Sequence, residues 1–291
     1  MNKEFKINPL KKKLKIWIHK HKKIYFLYKF PKFRFLTSPL RSLPDFIIIG
    51  AQKSGTTSLY DLISKHPGVI PTRNKELHYF SSTKYAWGTR WYRLNFPTKL
   101  EKRILEKKLH HRVITGEATP NYILHPNTKK RIKDLIPKAK IIVILRNPVD
   151  RAYSHYNHNV RRKIDNLSFK EAIQEKRFEG EEDKIYDDKF YEASNYNMYS
   201  YLLRGRYVEQ LEAWFKIFEK DQILVVGFEE FKKIPNKILN EIFDFLELPR
   251  FEQKNISKLN VGEYHSMDPQ TRKFLIEYFK PHNEKLYKLL N

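Results

Sequence analysis

The stretch that decides the fold is PDFIIIGAQKSGTTSL, residues 44–59. Its apolar, β-branched run at residues 46–49 is bounded by proline and glycine, which predicts a buried parallel strand. Small and polar residues follow, and a helix can begin at Thr56 or Thr57. A strand, a glycine-containing loop and a helix N-terminus together predict an anion site, because unpaired N–H groups converge there and the helix dipole favours negative charge.

This loop is predicted to bind phosphate, but it is not a Walker loop. In a Walker loop the lysine directly follows the last glycine and precedes Ser or Thr. Here Lys53 precedes Gly55. The alternative is an ordinary strand-to-helix turn that contains a lysine. Because Gly50, Lys53, Gly55 and the two threonines all suit one task, we expect a phosphate loop of another kind.

Composition indicates a globular protein with a strong positive charge. The chain has 291 residues, 41% of them hydrophobic, and a net charge of +24 from 57 basic and 33 acidic residues. This charge predicts attraction to nucleic acid, acidic glycans or an anionic membrane, whereas a lysine-rich bias on solvated faces explains it equally well. The sequence has no DNA- or RNA-recognition signature, so we expect no specific nucleic-acid partner.

The chain has no cysteine, which excludes disulfides, zinc–thiolate clusters and a thiol nucleophile. No cluster of metal-ligand residues is apparent, and we expect no metal. No apolar run approaches the roughly 20 residues that a membrane span needs. The N-terminus does not resemble a secretory signal, since lysines and histidines interrupt its apolar stretches. These features predict a cytoplasmic protein.

The first 43 residues differ from the rest of the chain. Lysines alternate there with aliphatic and aromatic residues. One interpretation is a basic amphipathic helix that lies on an anionic membrane surface, which would place the protein peripherally on the inner membrane face. The other is a solvated extension that packs a few aromatics on the domain. We therefore predict an N-terminal extension over residues 1–43 and one domain over residues 44–291.

The domain alternates predicted strands with helices. This order predicts an α/β fold in which a central parallel sheet lies between two helical layers. The acidic segment 176–195 shows no clear period and is predicted to be a mobile loop. The further strands are expected at residues 69–70, 113–115, 140–145 and 222–227, and Gly116–Tyr122 is predicted to be a loop after the third strand.

Chemically useful side chains follow two of these strands. Glu76 and His78 come after a short strand, at the edge where active sites of α/β sheets collect. They are two residues apart, so in an extended segment both would face the same way. Arg146 ends another strand and Ser154 lies on the next helix; a guanidinium and a hydroxyl there suit a second phosphate. The alternatives are surface charges and a capping arginine.

Four motifs in this order resemble the sulfotransferases that use 3′-phosphoadenosine 5′-phosphosulfate (PAPS). The resemblance is greatest to the carbohydrate branch, the heparan-sulfate type and its bacterial relatives, and it covers about residues 44–290. It implies a P-loop-NTPase-like sulfotransferase fold. The motifs are GAQKSGTT at 50–57, KELHYF at 75–80, GEATPNY at 116–122 and LRNPVDRAYSHY at 145–156.

The resemblance also implies residue roles. Arg146 and Ser154 correspond to the pair that holds the 3′-phosphate, and Glu76 corresponds to the catalytic base, with His78 close by in the acceptor cleft. Ala118 stands where many relatives carry lysine. The late nucleotide-binding loop, which a disulfide often holds in animal enzymes, would lie within Asn255–Tyr264. The loop around the 5′-phosphosulfate corresponds to Lys53, Ser54, Gly55, Thr56, Thr57 and Ser58.

The predicted function is transfer of a sulfuryl group from PAPS to a hydroxyl or amine of a glycan, glycolipid or other hydroxyl-bearing acceptor. Lys53 would stabilise the leaving bisphosphate, and Glu76 would accept the proton, helped if partial burial raises its pKa. Two alternatives stay open. One is a P-loop-type nucleotide kinase, and the other is a non-catalytic protein that binds polyanions or nucleic acid.

Overall fold

The structure is a computed structural model that describes residues 31–254, 256 and 265–291. The first 30 residues of the extension, and nearly all of the segment Asn255–Tyr264, lie outside the described residues. The core is a five-stranded sheet in the order β2-β3-β1-β4-β5, with every neighbouring pair parallel. Its strands are β1 (Phe46–Gly50), β2 (Val69–Pro71), β3 (Ile114–Ala118), β4 (Lys140–Leu145) and β5 (Ile223–Gly227).

The strands form where the sequence is continuously apolar, because both faces of the sheet are covered. Residues 46–49 are all 0% exposed, and so are residues 141–144. Alternate side chains enter two separate cores: Ile47 and Ile49 pack on one face of the sheet, Phe46 and Ile48 on the other. The predicted three-layer α/β/α fold is therefore confirmed.

Thirteen α-helices are described. One core takes Leu211 and Trp214 of the helix at residues 207–215, and the other takes Leu59 and Ile242 of two further helices. A third apolar cluster, which includes Ala152, Phe169 and Phe279, joins three more helices. The helices are α1 (Pro31–Leu36), α2 (Thr56–Ile63), α3 (Gly88–Arg93), α4 (Lys99–Leu109), α5 (Thr128–Leu135), α6 (Pro148–Arg161), α7 (Phe169–Ala172), α8 (Asp188–Ala193), α9 (Asn195–Tyr199), α10 (Tyr207–Phe215), α11 (Phe228–Lys233), α12 (Pro235–Phe245) and α13 (Pro269–Leu290).

The segment predicted to be a mobile loop, residues 176–195, is instead built of short helices. It contains the 3-10 helix Lys184–Tyr186 and helix α8. Its acidic residues are held by partners far away in sequence: Asp188 pairs with Arg131 at 2.9 Å, and Glu192 accepts from the backbone N–H of Thr83 at 3.2 Å. Tyr191 of this segment is 0% exposed. The loop prediction was wrong because long-range contacts hold these short helices, and such contacts cannot be recognised from a periodic pattern in the local sequence.

The third strand also differs from its prediction. It continues through Gly116 and Glu117 to Ala118, residues that we predicted to lie in a loop after the strand. Gly116 permits this, because a Cβ there would lie 2.4 Å from the Phe46 ring. Glu117 is consequently a fully buried carboxyl group inside the sheet.

The described part of the N-terminal extension is attached to the domain. Arg34 donates to the backbone oxygen of Leu94, and Arg41 donates to that of Phe96 at 2.8 Å. Both arginines are buried, at 2% and 1% exposure. A truncation that removes only the residues preceding this attachment has to end before Arg34.

Candidate active site

A cleft of about 700 Å³ opens where the carboxyl ends of all five strands meet. Because parallel strands end at one edge of the sheet, segments distant in sequence converge there. All but one of the ten predicted site residues line it: Lys53, Gly55, Thr56, Thr57, Ser58, Glu76, His78, Arg146 and Ser154. The exception is Ser54, whose side chain is 0% exposed and does not line the cleft.

The loop between β1 and α2 contains two residues with left-handed backbones and two glycines where a side chain would not fit. Lys53 and Gly55 both have left-handed backbones, with φ of 69° and 88°. A Cβ on Gly55 would lie 2.8 Å from the Phe228 ring, and one on Gly50 would lie 2.5 Å from the Ile123 side chain. No side chain caps α2 at Gly55. The first N–H groups of this helix are thus available to an anion in the cleft.

Arg146 connects the loop with the end of β4. Its Nη1 donates to the backbone oxygen of Lys53 at 3.3 Å, and its guanidinium lies 5.2 Å from the centre of the Phe228 ring. The Tyr207 hydroxyl fixes the same segment by donating to the backbone oxygen of Arg146 at 2.9 Å. Ser154 lies farther along α6, whose first turn is capped by the Asn147 side chain.

The cleft is strongly cationic. Lys53, Arg146, Arg161 and Arg162 line it, and Glu76 is its only lining carboxylate among the described residues. Burial lowers the pKa of Lys53, repulsion from Arg161 and Arg146 lowers it further, and attraction to Glu76 opposes the shift. An anionic ligand would relieve this repulsion, so the charge arrangement favours a polyanion such as a bisphosphate.

Glu76 and His78 are adjacent, though not in the way the sequence suggested. His78 Nε2 lies 3.5 Å from Glu76 Oε2. Their segment is not extended, since both residues have left-handed φ angles of 52° and 53°. The hydrogen bond from His78 lowers the pKa of Glu76; burial opposes this shift, while the nearby His158 and Lys53 add to it. A rise of this pKa through partial burial, which the sequence left open, does not occur, because the hydrogen bond from His78 outweighs desolvation.

The basic cluster at residues 161–163, which the sequence suggests for binding an acidic or sugar-containing acceptor, places Arg161 and Arg162 in the cleft. Sequence reasoning missed two other contributors. His158 follows Ser154 by one turn of α6, and helical periodicity was the signal that could have found it. Phe228 comes directly after β5, where the rule that parallel strands end at one edge could have found it. Burial and three cations, Lys53 first, lower the pKa of His158, which favours its neutral form.

A second cavity of about 360 Å³ shares Gln52, His78, His158 and Arg162 with the cleft. Three buried polar atoms on residues that line it, Gln52 Oε1, Ser81 Oγ and His155 Nδ1, find no hydrogen-bond partner among the described residues. The wall also carries the amides of Asn121, Asn159 and Asn197. Such a lining suits a ligand with several hydroxyl groups.

Neither a metal-ligand cluster nor a membrane span is found in the part of the chain that the structure describes. No three His, Asp or Glu side chains of the described ranges are grouped as metal ligands. Within the same ranges, no helix combines the length and the apolar character needed to cross a bilayer.

Comparison with known proteins gives a family match over most of the chain. Residues 43–282 match the family described as the sulfotransferase domain. The crystal structure of a sulfotransferase from Alicyclobacillus acidocaldarius superposes with a TM-score of 0.65 at 29% identity. That superposition covers 86% of this chain and 96% of the other.

Two curated relatives show how far the similarity extends. The chain is 30% identical over 321 residues to the membrane-associated sulfotransferase kil1 of Dictyostelium discoideum, covering 87% of this chain and 66% of that protein. It is 28% identical over 276 residues to the bifunctional heparan sulfate N-deacetylase/N-sulfotransferase 1 of Caenorhabditis elegans, covering 86% of this chain and 30% of that protein. The chain thus spans just under two thirds of the first relative and less than a third of the second.

Proposed function

The chain belongs to the sulfotransferase family of PAPS-dependent enzymes, and from this premise we propose that it transfers the sulfuryl group of PAPS to a hydroxyl or amine of a carbohydrate-type acceptor. One observation carries the proposal: a helix N-terminus, Lys53, Arg146 and Glu76 line a single cleft. Sulfuryl transfer from a bisphosphate nucleotide requires binding of two phosphates, charge stabilisation and a base, and these residue types supply all three.

The two phosphates have separate candidate partners. The N–H groups at the start of α2, with Lys53, suit the 5′-phosphosulfate. Arg146 and Ser154, on the other wall of the cleft, suit the 3′-phosphate, because a guanidinium can bind phosphate with two hydrogen bonds. Neither a kinase site nor a nucleic-acid surface has a comparable observation in its favour.

The proposed reaction is an in-line displacement at sulfur. The acceptor oxygen or nitrogen forms a bond to sulfur while the bond from sulfur to the bridging phosphate oxygen breaks. Glu76 receives the acceptor proton, and the Lys53 ammonium neutralises the charge that develops on the departing 3′,5′-bisphosphate. Because the pKa of Glu76 is lowered, its carboxylate is already ionised at neutral pH. Bound PAPS brings negative charge close to Glu76, which raises its pKa and makes it a stronger base.

The acceptor is proposed to reach Glu76 from the second cavity. His78 and His158 line both spaces, so a group bound in the second cavity adjoins the reaction centre. The polar side chains that line the second cavity, among them Ser82, Lys84 and Asn197, favour a hydroxyl-rich ring over a flat phenol, because several hydroxyl groups can pair with them. This supports a glycan or glycolipid acceptor.

Peripheral membrane attachment through residues 1–43 is a further part of the proposal. Its support is the alternation of lysines with apolar residues in this segment. One relative is also named as membrane-associated. Location on the inner membrane face remains a prediction from the sequence.

Calorimetry and an acceptor screen test the proposed function. The full chain is titrated with 3′,5′-adenosine bisphosphate, and radiolabelled PAPS is then offered with glycans, glycolipids and small phenols in the presence of EDTA. We expect bisphosphate binding and label transfer to a carbohydrate. Absence of bisphosphate binding would contradict the nucleotide site, and transfer to phenols alone would contradict the carbohydrate acceptor.

A further inference from the structure

Glu117 is a buried carboxyl group whose recorded hydrogen bonds are all to hydroxyl groups. The Tyr92 hydroxyl donates to Oε1, the Thr119 hydroxyl donates to Oε2 at 2.9 Å, and the Tyr122 hydroxyl lies 3.4 Å from both oxygens. Glu117 is 0% exposed and forms no recorded ion pair among the described residues. Burying a carboxyl group without a cationic partner lowers the free energy of unfolding, so a buried Glu117 indicates a role beyond packing.

Two of these hydroxyls also contact the segment that carries Glu76. The backbone N–H of His78 donates to Thr119 Oγ1, and that of Phe80 donates to the Tyr122 hydroxyl oxygen, each at 3.4 Å. Each hydroxyl oxygen can accept a hydrogen bond from its N–H group while the hydroxyl proton points at Glu117. An ionised carboxylate only accepts hydrogen bonds, so it fixes both hydroxyls in this orientation.

The segment needs such support because its backbone is unusual. Glu76 and His78 both adopt left-handed φ angles, which cost non-glycine residues roughly 1–2 kcal/mol each. Conformations of this kind persist only where the surroundings enforce them. Leu77, between the two residues, is buried and supplies one anchor, and the N–H groups of His78 and Phe80 supply two more.

We propose that Glu117 is a positioning residue, which holds the Glu76–His78 pair in its reactive geometry through the hydroxyls of Thr119 and Tyr122. The inference rests on the proposed function in one respect, which is the role of Glu76 as the base. Glu117 itself does not line the cleft. Replacing its carboxylate by an amide puts a donor in place of one accepting oxygen, so the three hydroxyls have to share the single oxygen that remains.

The same arrangement predicts a pH dependence. Burial raises the pKa of Glu117 to about 7, although the hydroxyl donors and His78 oppose the shift. The titratable groups facing it are Tyr92, Tyr122, His78 and, more distantly, Tyr60. Below this pKa the carboxyl carries a proton and becomes a donor, as the amide would be. Turnover should therefore fall as the pH drops through about 7.

The first experiment needs no acceptor. Protein labelled with carboxyl-13C glutamate is studied by NMR at about pH 9, where Glu117 is ionised in the wild type, and the Glu76 resonance is assigned by its loss in Glu76→Gln. In Glu117→Gln and in Thr119→Val we expect the Glu76 resonance to move toward that of an exposed glutamate, because its hydrogen bond from His78 loosens. Tyr92→Phe is the matched control: it removes a donor to Glu117 that has no recorded hydrogen bond to the loop backbone.

The second experiment uses the acceptor found in the screen. If Glu76 is no longer held in its reactive geometry, kcat should fall by about 10-fold or more, while KM for PAPS and bisphosphate affinity stay within about 2-fold. The limb near pH 7 should disappear in Glu117→Gln and move to higher pH in Tyr92→Phe, which loses the donor that most lowers the pKa of Glu117. If Glu117→Gln does not fold, Thr119→Val carries the test. An unchanged Glu76 resonance and kcat in the folded variants would overturn the proposal, whereas a wild-type protein that binds no bisphosphate would instead contradict the proposed function.

Discussion

The Nη1 group of Arg146 donates to the backbone oxygen of Lys53 across 3.3 Å, and this contact connects the two halves of the proposed nucleotide site. Arg146 belongs to the end of β4, and Lys53 belongs to the loop after β1. The residue proposed to bind the 3′-phosphate therefore also supports the loop proposed to bind the 5′-phosphosulfate. Loss of Arg146 should affect both phosphates, whereas loss of Ser154 should affect one.

The first prediction separates these two effects by calorimetry with 3′,5′-adenosine bisphosphate and with AMP. Arg146→Ala should weaken binding of the bisphosphate by about 10- to 100-fold, the range for a hydrogen bond to a charged group, and should weaken AMP binding as well. Ser154→Ala should weaken bisphosphate binding by about 3- to 10-fold and leave AMP binding unchanged. Arg112→Ala, which removes an ion pair with Glu247 outside the cleft, is the control. Equal loss of both ligands in Ser154→Ala would contradict the 3′-phosphate assignment.

The second prediction concerns Lys53. Lys53→Ala should lower kcat by roughly 10²-fold or more, because a cation at the leaving group acts mainly on the transition state. Bisphosphate affinity should fall much less than kcat. Lys107→Ala, an exposed lysine of α4, controls for the loss of one positive charge. Single-turnover measurements with saturating PAPS would check the result, and full activity in Lys53→Ala would refute its role.

The third prediction uses the lowered pKa of Glu76. Glu76→Gln should lower kcat by roughly 10²-fold or more. In His78→Leu the carboxylate loses the hydrogen bond that contributes most to lowering its pKa, so the pKa should rise. By carboxyl-13C NMR the Glu76 resonance should consequently titrate at higher pH in His78→Leu than in the wild type. An unchanged titration would show that His78 does not set this pKa, and bisphosphate binding provides a check of folding for both variants.

The fourth prediction compares two glycines with positive φ. Gly55→Ala should destabilise the protein by about 1–2 kcal/mol because of its φ of 88°, and the new methyl would also press on Phe228. Gly88 has a φ of 76° and a ψ of 168°, and a methyl group added there would meet no heavy atom within 4 Å. Gly88→Ala should therefore show a backbone cost alone, and a larger one than at Gly55, because its conformation is almost restricted to glycine. Urea denaturation and bisphosphate calorimetry should reveal loss of nucleotide affinity only in Gly55→Ala.

The fifth prediction tests the N-terminal segment. Deleting residues 1–30 should abolish sedimentation with vesicles that contain anionic lipid, while bisphosphate binding is retained. Deletion through residue 40 should in addition destabilise the domain, because it removes the buried Arg34. Replacing Lys11, Lys12 and Lys13 by glutamate should act like the short deletion if charge drives binding. Sedimentation of the short deletion at wild-type levels would exclude this segment as the membrane anchor.

Much of the architecture could be predicted from local sequence. A continuous β-branched run such as residues 140–145 has few alternatives to a buried parallel strand, and β4 has the predicted bounds. The loop at Lys53 was also predictable, because a strand, glycines and hydroxyls lie within one short stretch. The rule that parallel strands end at one edge then predicted that Arg146 and Glu76 would meet this loop.

Burial and ionisation were not predictable in the same way. Glu117 lies inside β3 because Gly116 accommodates the Phe46 ring, and the acidic segment around Asp188 is ordered by Arg131. The pKa of Glu76 falls rather than rises because His78 turns toward it and the helix α6 brings His158 close. Local sequence determined which continuous apolar runs form strands and which segments carry the glycines, lysine and hydroxyls of the candidate site, since these depend on neighbours along the chain. Only the tertiary structure decided which carboxyl groups are buried and which face cations, because desolvation and Coulomb energies depend on distances between residues far apart in sequence.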